Sequence, residues 1–266
     1  MNDLITQEII RFVDAYRKSE NIETRWQEPL VGFADAGDPL FSQLHSAVGP
    51  THATPNDLLE GARSVIAYFL PFDEDICRKN SGGYYAAKEW ALAYVETNRL
   101  IVDLNDYLSG LLAKKGKRCT VLPPTHNFDK EKLISDWSHR HVAFIVGLGN
   151  FGLHNLLITD KGCCGRLGSI ITDAVLTPLK RTGQEYCLYK YNKTCTACVK
   201  NCVTHALKVD SFDRHACYNL LLENAKLHEQ YGLADACGKC ICVVPCSFQN
   251  PVKNLQKEAI KDKFSG

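Results

Sequence analysis

The sequence predicts a mixed α/β (α+β) domain followed by a smaller cysteine-rich domain. Helical and strand patterns both occur in the first 180 residues. The chain of 266 residues is 45% hydrophobic, which is typical of a globular protein with a buried core. Nine of its 13 cysteines lie between Cys187 and Cys246. We therefore place the domain boundary near residue 180, giving domains of residues 1–180 and 181–266.

The first elements of the chain predict a helix and two strands. Apolar residues recur at helical spacing over residues 4–18, and residues 29–35 have a short strand pattern. Residues 42–56 are loop-like, and residues 57–63 predict a turn or a short helix. Residues 64–70 form a nearly continuous apolar run, as expected of a buried strand.

The longest predicted helix lies in the middle of the chain. Large residues spaced alternately four and three apart form its core-facing stripe: Trp90, Tyr94, Thr97, Ile101, Leu104, Leu108 and Leu111. Further strands are predicted over residues 119–122, 142–146 and 167–176.

The segment of residues 125–141 combines charged, histidine and aromatic residues immediately before an apolar run. Its members are His126, Asp129, Asp136, Trp137, His139, Arg140 and His141. Such a group is typical of an active-site edge, although a solvated helix face is the ordinary alternative. We take Asp136, His139 and His141 as the candidate proton donors.

The residues from Gly147 to Gly152 match the G-x-G-x-x-G pattern of dinucleotide sites. That pattern requires a following helix whose N-terminus holds the pyrophosphate. Residues 153–162 instead reach another glycine within about two helical turns and end in strand-type residues, which argues against a dinucleotide site. The adjacent Cys163 and Cys164 are poor co-ligands for one tetrahedral ion, so we expect buried, unreactive thiols.

Composition excludes several classes of protein. A net charge of +1 offers no basic surface for nucleic acid, and no stretch of 18 apolar residues predicts a membrane span. The N-terminus does not resemble a signal peptide. Thirteen cysteines without such a signal indicate a reducing, cytoplasmic environment, in which cysteines are commonly metal ligands.

Cysteine spacing predicts two [4Fe–4S] clusters. A zinc site would use only four thiolates and would leave four others without a role. The spacing from Cys195 to Cys202 matches the end of the ferredoxin run C-x2-C-x2-C-x3-C, whose last cysteine binds the other cluster. The first cysteine set is Cys187, Cys195, Cys198 and Cys246. The second cysteine set is Cys202, Cys217, Cys237 and Cys240, and Cys242 is left as a spare.

Four stretches resemble the corrinoid-dependent reductases that include epoxyqueuosine reductase and, more distantly, the reductive dehalogenases. They are residues 58–66, 147–155 and 166–173 and the cysteine block, within a resemblance that covers about residues 57–250. The resemblance implies a nitroreductase-like core holding base-off cobalamin, with a ferredoxin-like domain carrying the two clusters. The corrinoid would be lined by Arg140, Gly147, Leu148, Gly149, Asn150, Phe151, Gly152, His154, Asn155, Gly165, Arg166, Gly168 and Ser169.

The sequence departs from this family in three ways. The chain ends shortly after Cys246, without the helical repeats of epoxyqueuosine reductases. Leu133 occupies the position of the family's catalytic acid, with Asp136 nearby. Proline follows neither Cys202 nor Cys246. These departures indicate a short paralogue for which tRNA is an unlikely substrate.

Three functions are compatible with these patterns. The first is a cobalamin-dependent reductase of a small molecule, supplied by a low-potential donor such as ferredoxin or flavodoxin. The second is an electron-transfer or reactivating partner of another corrinoid protein. The third is a binding module whose fold is stabilised by a structural zinc ion and which would contain no iron.

Overall fold

The computed structural model describes residues 1–19, 21–124 and 128–256, and these residues divide between two compact units. Unit 1 contains residues 1–72, 92–148 and 165–182. Unit 2 contains residues 73–91 and 149–164 and the chain from residue 183 onward. The predicted boundary at residue 180 lies beside the last of these junctions, and two earlier segments also belong to unit 2.

A four-stranded antiparallel sheet forms the centre of unit 1. Its strands, in spatial order, are β1 (Leu30–Asp35), β2 (Ser64–Pro71), β8 (Gly165–Thr172) and β3 (Cys119–Val121). Every residue of β2 is buried, as its apolar run predicted. Strands β2 and β8 are the two central strands of the sheet. The predicted site residues on β8 are therefore held beside β2, with which they pair.

Helices pack around the sheet of unit 1. They are α1 (Asn2–Tyr16), α2 (Pro39–Ala47), α3 (Pro55–Leu58), α6 (His139–Val146) and, from Leu92 onward, α5 (Lys88–Ala113). The predicted stripe of α5 is confirmed as far as Leu108, because Ile101, Leu104 and Leu108 are fully buried. At its end the prediction was wrong by one position, since Leu112 is buried and Leu111 is half-buried. A two-stranded hairpin of β4 (Phe128–Asp129) and β5 (Ile134–Ser135) precedes α6.

Two predictions for unit 1 were wrong. The predicted loop over residues 42–56 contains most of α2, which begins where the Asp38 carboxylate accepts the Leu40 N–H. The predicted strand over residues 142–146 is the last part of α6. Five apolar residues are too few for periodicity to separate helix from strand, and α6 ends at Gly147 in the left-handed conformation (φ +90°).

Unit 2 is built from short elements. They are α4 (Glu74–Lys79), β6 (Gly149–Phe151), β7 (Leu157–Thr159), α7 (Leu188–Asn192), α8 (Ala197–Lys200), α9 (Arg214–Leu227) and two 3-10 turns (Glu229–Tyr231 and Lys239–Ile241). Strands β6 and β7 pair as an antiparallel hairpin. Residues 251–256 are helical.

Within the described part of the chain, no helix is both long enough and apolar enough to cross a lipid bilayer.

Candidate functional site

The first cysteine set lines a single cavity in unit 2. All four of its members border one cleft, together with His154, Leu188, Val244, Pro245 and Pro251. Cys187 immediately precedes α7, and Cys198 lies in α8. Local turns therefore bring together thiols that are up to 59 residues apart in the sequence.

The electrostatics of this cavity favour a cation. Burial raises the pKa of the Cys198 thiol to about 12, and negative charge on Cys246, Cys187 and Cys195 adds to that rise. Four thiolates in one cavity repel each other unless a metal centre balances their charge, and coordination to a metal deprotonates a thiol. The set therefore has the chemistry of a four-cysteine iron–sulfur ligand shell.

The second cysteine set is also gathered in unit 2. Burial raises the pKa of Cys217 to about 11, and its neighbours Cys237 and Cys202 raise it further. Burial raises the pKa of Cys240 in the same way, with Cys237, Cys217 and Cys202 adding to the effect. The Leu207 N–H donates to Cys202 Sγ at 3.3 Å. The four thiols thus lie within electrostatic reach of one another, as a shared metal centre requires.

Left-handed residues shape the loops that carry these cysteines. Gly238 (φ +70°) follows Cys237, and a Cβ at this glycine would lie 2.1 Å from the Trp90 ring. Val243 has φ +55° although it is β-branched and 58% exposed. Both residues adopt the left-handed region so that the chain can reverse between successive ligands.

His154 lies beside the first cysteine set. The Leu156 N–H donates to His154 Nδ1 at 3.1 Å, so Nε2 carries the proton and faces Cys246 Sγ at 3.5 Å. The Cys163 thiol and the His154 imidazole together hold the pKa of Cys246 at about 5, below its usual value. The family resemblance predicts His154 as a corrinoid-lining residue, and in the structure its imidazole lies beside the Cys246 thiol.

A third group of sulfurs was missed by sequence reasoning. The Sγ atoms of Cys77, Cys164 and Cys242, called the thiol triad below, lie within 4.8 Å of one another. The neighbouring Cys164 and Cys77 thiols lower the pKa of Cys242 to about 4, and the Cys164 thiol donates to the Ile241 carbonyl oxygen at 3.2 Å. Cys163 and Cys164 are buried as expected, but each has sulfur neighbours. No pattern in the sequence connects Cys77 with Cys164, because 86 residues separate them.

The glycine segment of residues 147–155 forms a turn and a hairpin. Gly147 ends α6, and residues 149–151 form β6. A Cβ at Gly149 would lie 2.0 Å from the Ile158 carbonyl oxygen, so this glycine permits the pairing of β6 with β7. A strand, rather than a helix N-terminus, follows the glycines. The arrangement therefore lacks the anion site of a dinucleotide fold.

The predicted site residues on β8 lie in unit 1. Cβ atoms at Gly165 and Gly168 would meet the Leu70 carbonyl oxygen at 2.3 Å and the Tyr68 ring at 2.4 Å, so strand packing explains both glycines. The Arg166 guanidinium stacks over the Tyr94 ring at 4.1 Å. Arg166 Nε is buried and has no hydrogen-bond acceptor among the described residues. This orphaned donor marks Arg166 as a residue that fits an absent polar group.

A hydrogen-bond chain holds His139 in place. The Trp137 indole N–H donates to Ser169 Oγ at 3.0 Å, and Ser169 Oγ lies 2.9 Å from His139 Nδ1. His139 Nε2 faces the Pro123 carbonyl oxygen at 2.9 Å and must carry the proton, because a carbonyl only accepts. Burial lowers the pKa of His139 to about 4. Its imidazole is therefore neutral at pH 7, with both nitrogens engaged.

The other candidate proton donors differ in exposure. The Asp136 side chain is exposed, and its carboxylate accepts the Thr51 hydroxyl at 2.6 Å. His141 Nδ1 bonds Ser138 Oγ at 2.7 Å, and burial lowers the pKa of His141 to about 4. Arg140 is exposed, and His126 lies outside the described residues. Asp136 is thus the one candidate of the three that reaches solvent freely.

The chain is similar in fold to known reductases. No known protein-family profile matches the chain, and no curated protein matches it by sequence. An epoxyqueuosine reductase from Streptococcus thermophilus matches with a TM-score of 0.57 and 16% identity, covering 94% of this chain and 68% of that one. The enzyme from Bacillus subtilis matches with a TM-score of 0.56 and 19% identity, covering 91% and 66%.

A third epoxyqueuosine reductase was solved with a tRNA-Tyr epoxyqueuosine-modified stem loop. It matches with a TM-score of 0.55 and 18% identity, covering 92% of this chain and 65% of that one. The chain has the fold of these reductases and spans about two thirds of their length.

Proposed function

We propose that the protein is an iron–sulfur oxidoreductase and a cobalamin-dependent reductase of a small molecule. The observation that carries the proposal is the grouping of eight cysteines into two sets of four within unit 2. Four thiolates are the usual ligands of a [4Fe–4S] cluster. The fold shared with the epoxyqueuosine reductases supports the same type of chemistry.

The two cysteine sets would hold the clusters, which transfer single electrons. His154 would act on the first cluster through its hydrogen bond to Cys246, since hydrogen bonds to ligand sulfurs tune the reduction potential. A low-potential donor of the ferredoxin or flavodoxin type would supply the electrons.

The residues proposed for the corrinoid are those predicted from the resemblance, of which Arg166 fits best. Its Nε, which has no acceptor in the described part of the chain, offers a donor to a polar group of the cofactor, and stacking on Tyr94 holds the guanidinium in position. A bound corrinoid supplies a reducible cobalt centre. Gly165 and Gly168 contribute by letting β8 approach β2, rather than by leaving room for the cofactor.

Asp136 is the proposed proton donor among this chain's own residues. The Thr51 hydroxyl fixes its carboxyl group, while the exposed oxygen remains accessible to a substrate. His139, being neutral and fully hydrogen-bonded, would position Ser169 instead of delivering a proton.

Metal content tests the two clusters. Protein purified without oxygen is expected to hold about eight iron atoms and to absorb visible light. Cys187→Ser and Cys217→Ser should each lose about half of the iron, because each removes a ligand of one cluster only. Cys119→Ser, which alters a thiol of unit 1, is the matched control and should keep all the iron. Zinc without iron in the parent protein would refute the assignment.

Cobalamin and substrate are tested on the iron-loaded protein. Added cobalamin should bind with a change in its visible spectrum, and Arg166→Gln should weaken that binding at least tenfold. The epoxyqueuosine stem loop should not bind measurably, since the net charge of +1 provides little attraction for phosphate. Tight binding of the stem loop would overturn the small-molecule substrate, and cluster reduction without cobalamin binding would favour an electron-transfer partner.

A further inference from the structure

The thiol triad shares no residue with the two cysteine sets and is fully enclosed. Cys163, which precedes Cys164 in the chain, has its Sγ within 4.8 Å of Cys246 Sγ of the first cysteine set. The exposures of the triad are 0% for Cys77, 1% for Cys164 and 0% for Cys242. The three residues come from α4, from the residue before β8 and from the residue after the second 3-10 turn, all within unit 2. Their sulfurs therefore converge from three separate segments of chain on one small region.

Three mutually close sulfurs suit a soft metal ion. Thiolate ligands select Cu(I), zinc and iron–sulfur clusters among biological metals. A [4Fe–4S] cluster and a structural zinc ion each require four protein ligands. Among the described residues, the metal-binding group around Cys164 contains three ligand atoms only. Three thiolates complete the coordination shell of Cu(I), which is stable with low coordination numbers.

The surroundings of the triad can balance negative charge. The Asn80 side-chain amide donates to Cys242 Sγ at 3.4 Å. Lys239 is 3% exposed, and its ammonium donates to the Asn80 carbonyl oxygen at 3.1 Å and to the Gly82 carbonyl oxygen. A buried cation so placed offsets the excess negative charge of three thiolates around a monovalent metal.

We propose that Cys77, Cys164 and Cys242 form a trigonal thiolate site for one Cu(I) ion, separate from the iron–sulfur cysteine sets. The site is independent of the proposed reductase function, because Cys77 and Cys164 belong to neither set. Metal binding here would join α4 to the loops of the cysteine block, since each segment contributes one ligand.

A competition assay tests the site on the full chain purified without oxygen. Cu(I) is titrated against a chelator of known affinity, and iron is measured in the same samples. The parent protein should retain one Cu(I) per chain with its iron content unchanged. Cys77→Ser should bind Cu(I) at least 100-fold more weakly. Cys119→Ser, the control thiol outside unit 2, should bind as the parent does.

X-ray absorption on the copper-loaded parent protein adds a readout that does not depend on a variant folding. Three sulfur neighbours and no nitrogen or oxygen neighbour are expected. Equal Cu(I) affinity in the parent and in both Cys77→Ser and Cys164→Ser would overturn the proposal. Copper uptake accompanied by loss of iron would also overturn it. A parent protein that binds one equivalent of Zn²⁺ but no Cu(I) would do the same. Loss of the iron assignment alone, with copper still bound by the triad, would refute only the proposed function.

Discussion

Gly238 shows how a single residue controls the geometry of the second cysteine set. It follows Cys237, adopts φ +70° and leaves no room for a Cβ beside Trp90. Gly83 has a similar φ of +72°, yet nothing lies within 4 Å of its Cβ position. Substitution of Gly83 therefore reports the free-energy cost of the left-handed backbone alone, whereas substitution of Gly238 adds the cost of a steric clash.

We predict that Gly238→Ala destabilises the protein by about 2–4 kcal/mol, because backbone strain adds to displacement of the buried Trp90 ring. Gly83→Ala should cost only about 1–2 kcal/mol from the backbone alone. Urea unfolding of both iron-loaded variants provides the comparison. Equal losses in the two variants would show that the Trp90 contact carries no penalty.

At the residue scale, cysteine spacing is what predicts the proposed cluster ligands. Seven of the eight proposed cluster ligands lie within two short stretches of the cysteine block, Cys195–Cys202 and Cys237–Cys246, or within eight residues of one of them. The thiol triad was not predictable, because its three cysteines are joined only by tertiary structure. The neutral state of His139 was not predictable for the same reason. That state depends on Ser169 and Pro123, which no sequence window contains together.

At the scale of elements, α6 is defined by its ends rather than by its apolar run. Residues 142–146 are equally suitable for a buried strand, but Gly147 terminates a helix in the left-handed conformation. By contrast, β2 and α5 were predicted because a long uninterrupted or strictly periodic pattern leaves one interpretation. The short apolar run of residues 142–146 therefore left its secondary structure undecided in the sequence.

Two glycine substitutions test how the position of a glycine in a helix affects stability. They are expected to change the free energy of unfolding in opposite directions. Gly147→Ala should destabilise the protein by about 1–2 kcal/mol, since alanine resists φ +90° and its Cβ would lie 3.3 Å from Arg181. Gly110→Ala, on the exposed side of α5 with nothing within 4 Å, should stabilise it by about 0.5–1 kcal/mol. Thermal unfolding of both variants measures the two shifts. A stabilising Gly147→Ala would contradict the capping role.

At the scale of the whole molecule, the two units differ in what stabilises them. Unit 1 has a four-stranded sheet with a fully buried central strand, whereas unit 2 consists of short helices and turns around cysteines. Small cores commonly depend on metals or cross-links for stability. With the proposed clusters bound, unit 2 should therefore depend on them for stability in a way that unit 1 does not.

Hydrogen exchange after iron removal tests this dependence. Chelation without oxygen is expected to accelerate amide exchange at least tenfold in α7 and α9, because ligand-bearing loops lose their anchors. Amides of β2 and β8 should exchange at nearly the same rate before and after chelation. Unchanged exchange in α7 and α9 would show that unit 2 is stable without metal.

The left-handed Val243 has a consequence for the order in which the protein matures. A β-branched residue in this conformation raises the free energy of the folded chain by about 1–2 kcal/mol. Because the Val243 side chain is 58% exposed, packing offsets little of this strain. In a newly made, metal-free chain, the segment before Cys246 should therefore prefer an extended path. The first cysteine set would then gather its three earlier members before Cys246, so cofactor insertion would begin from an open, three-ligand site.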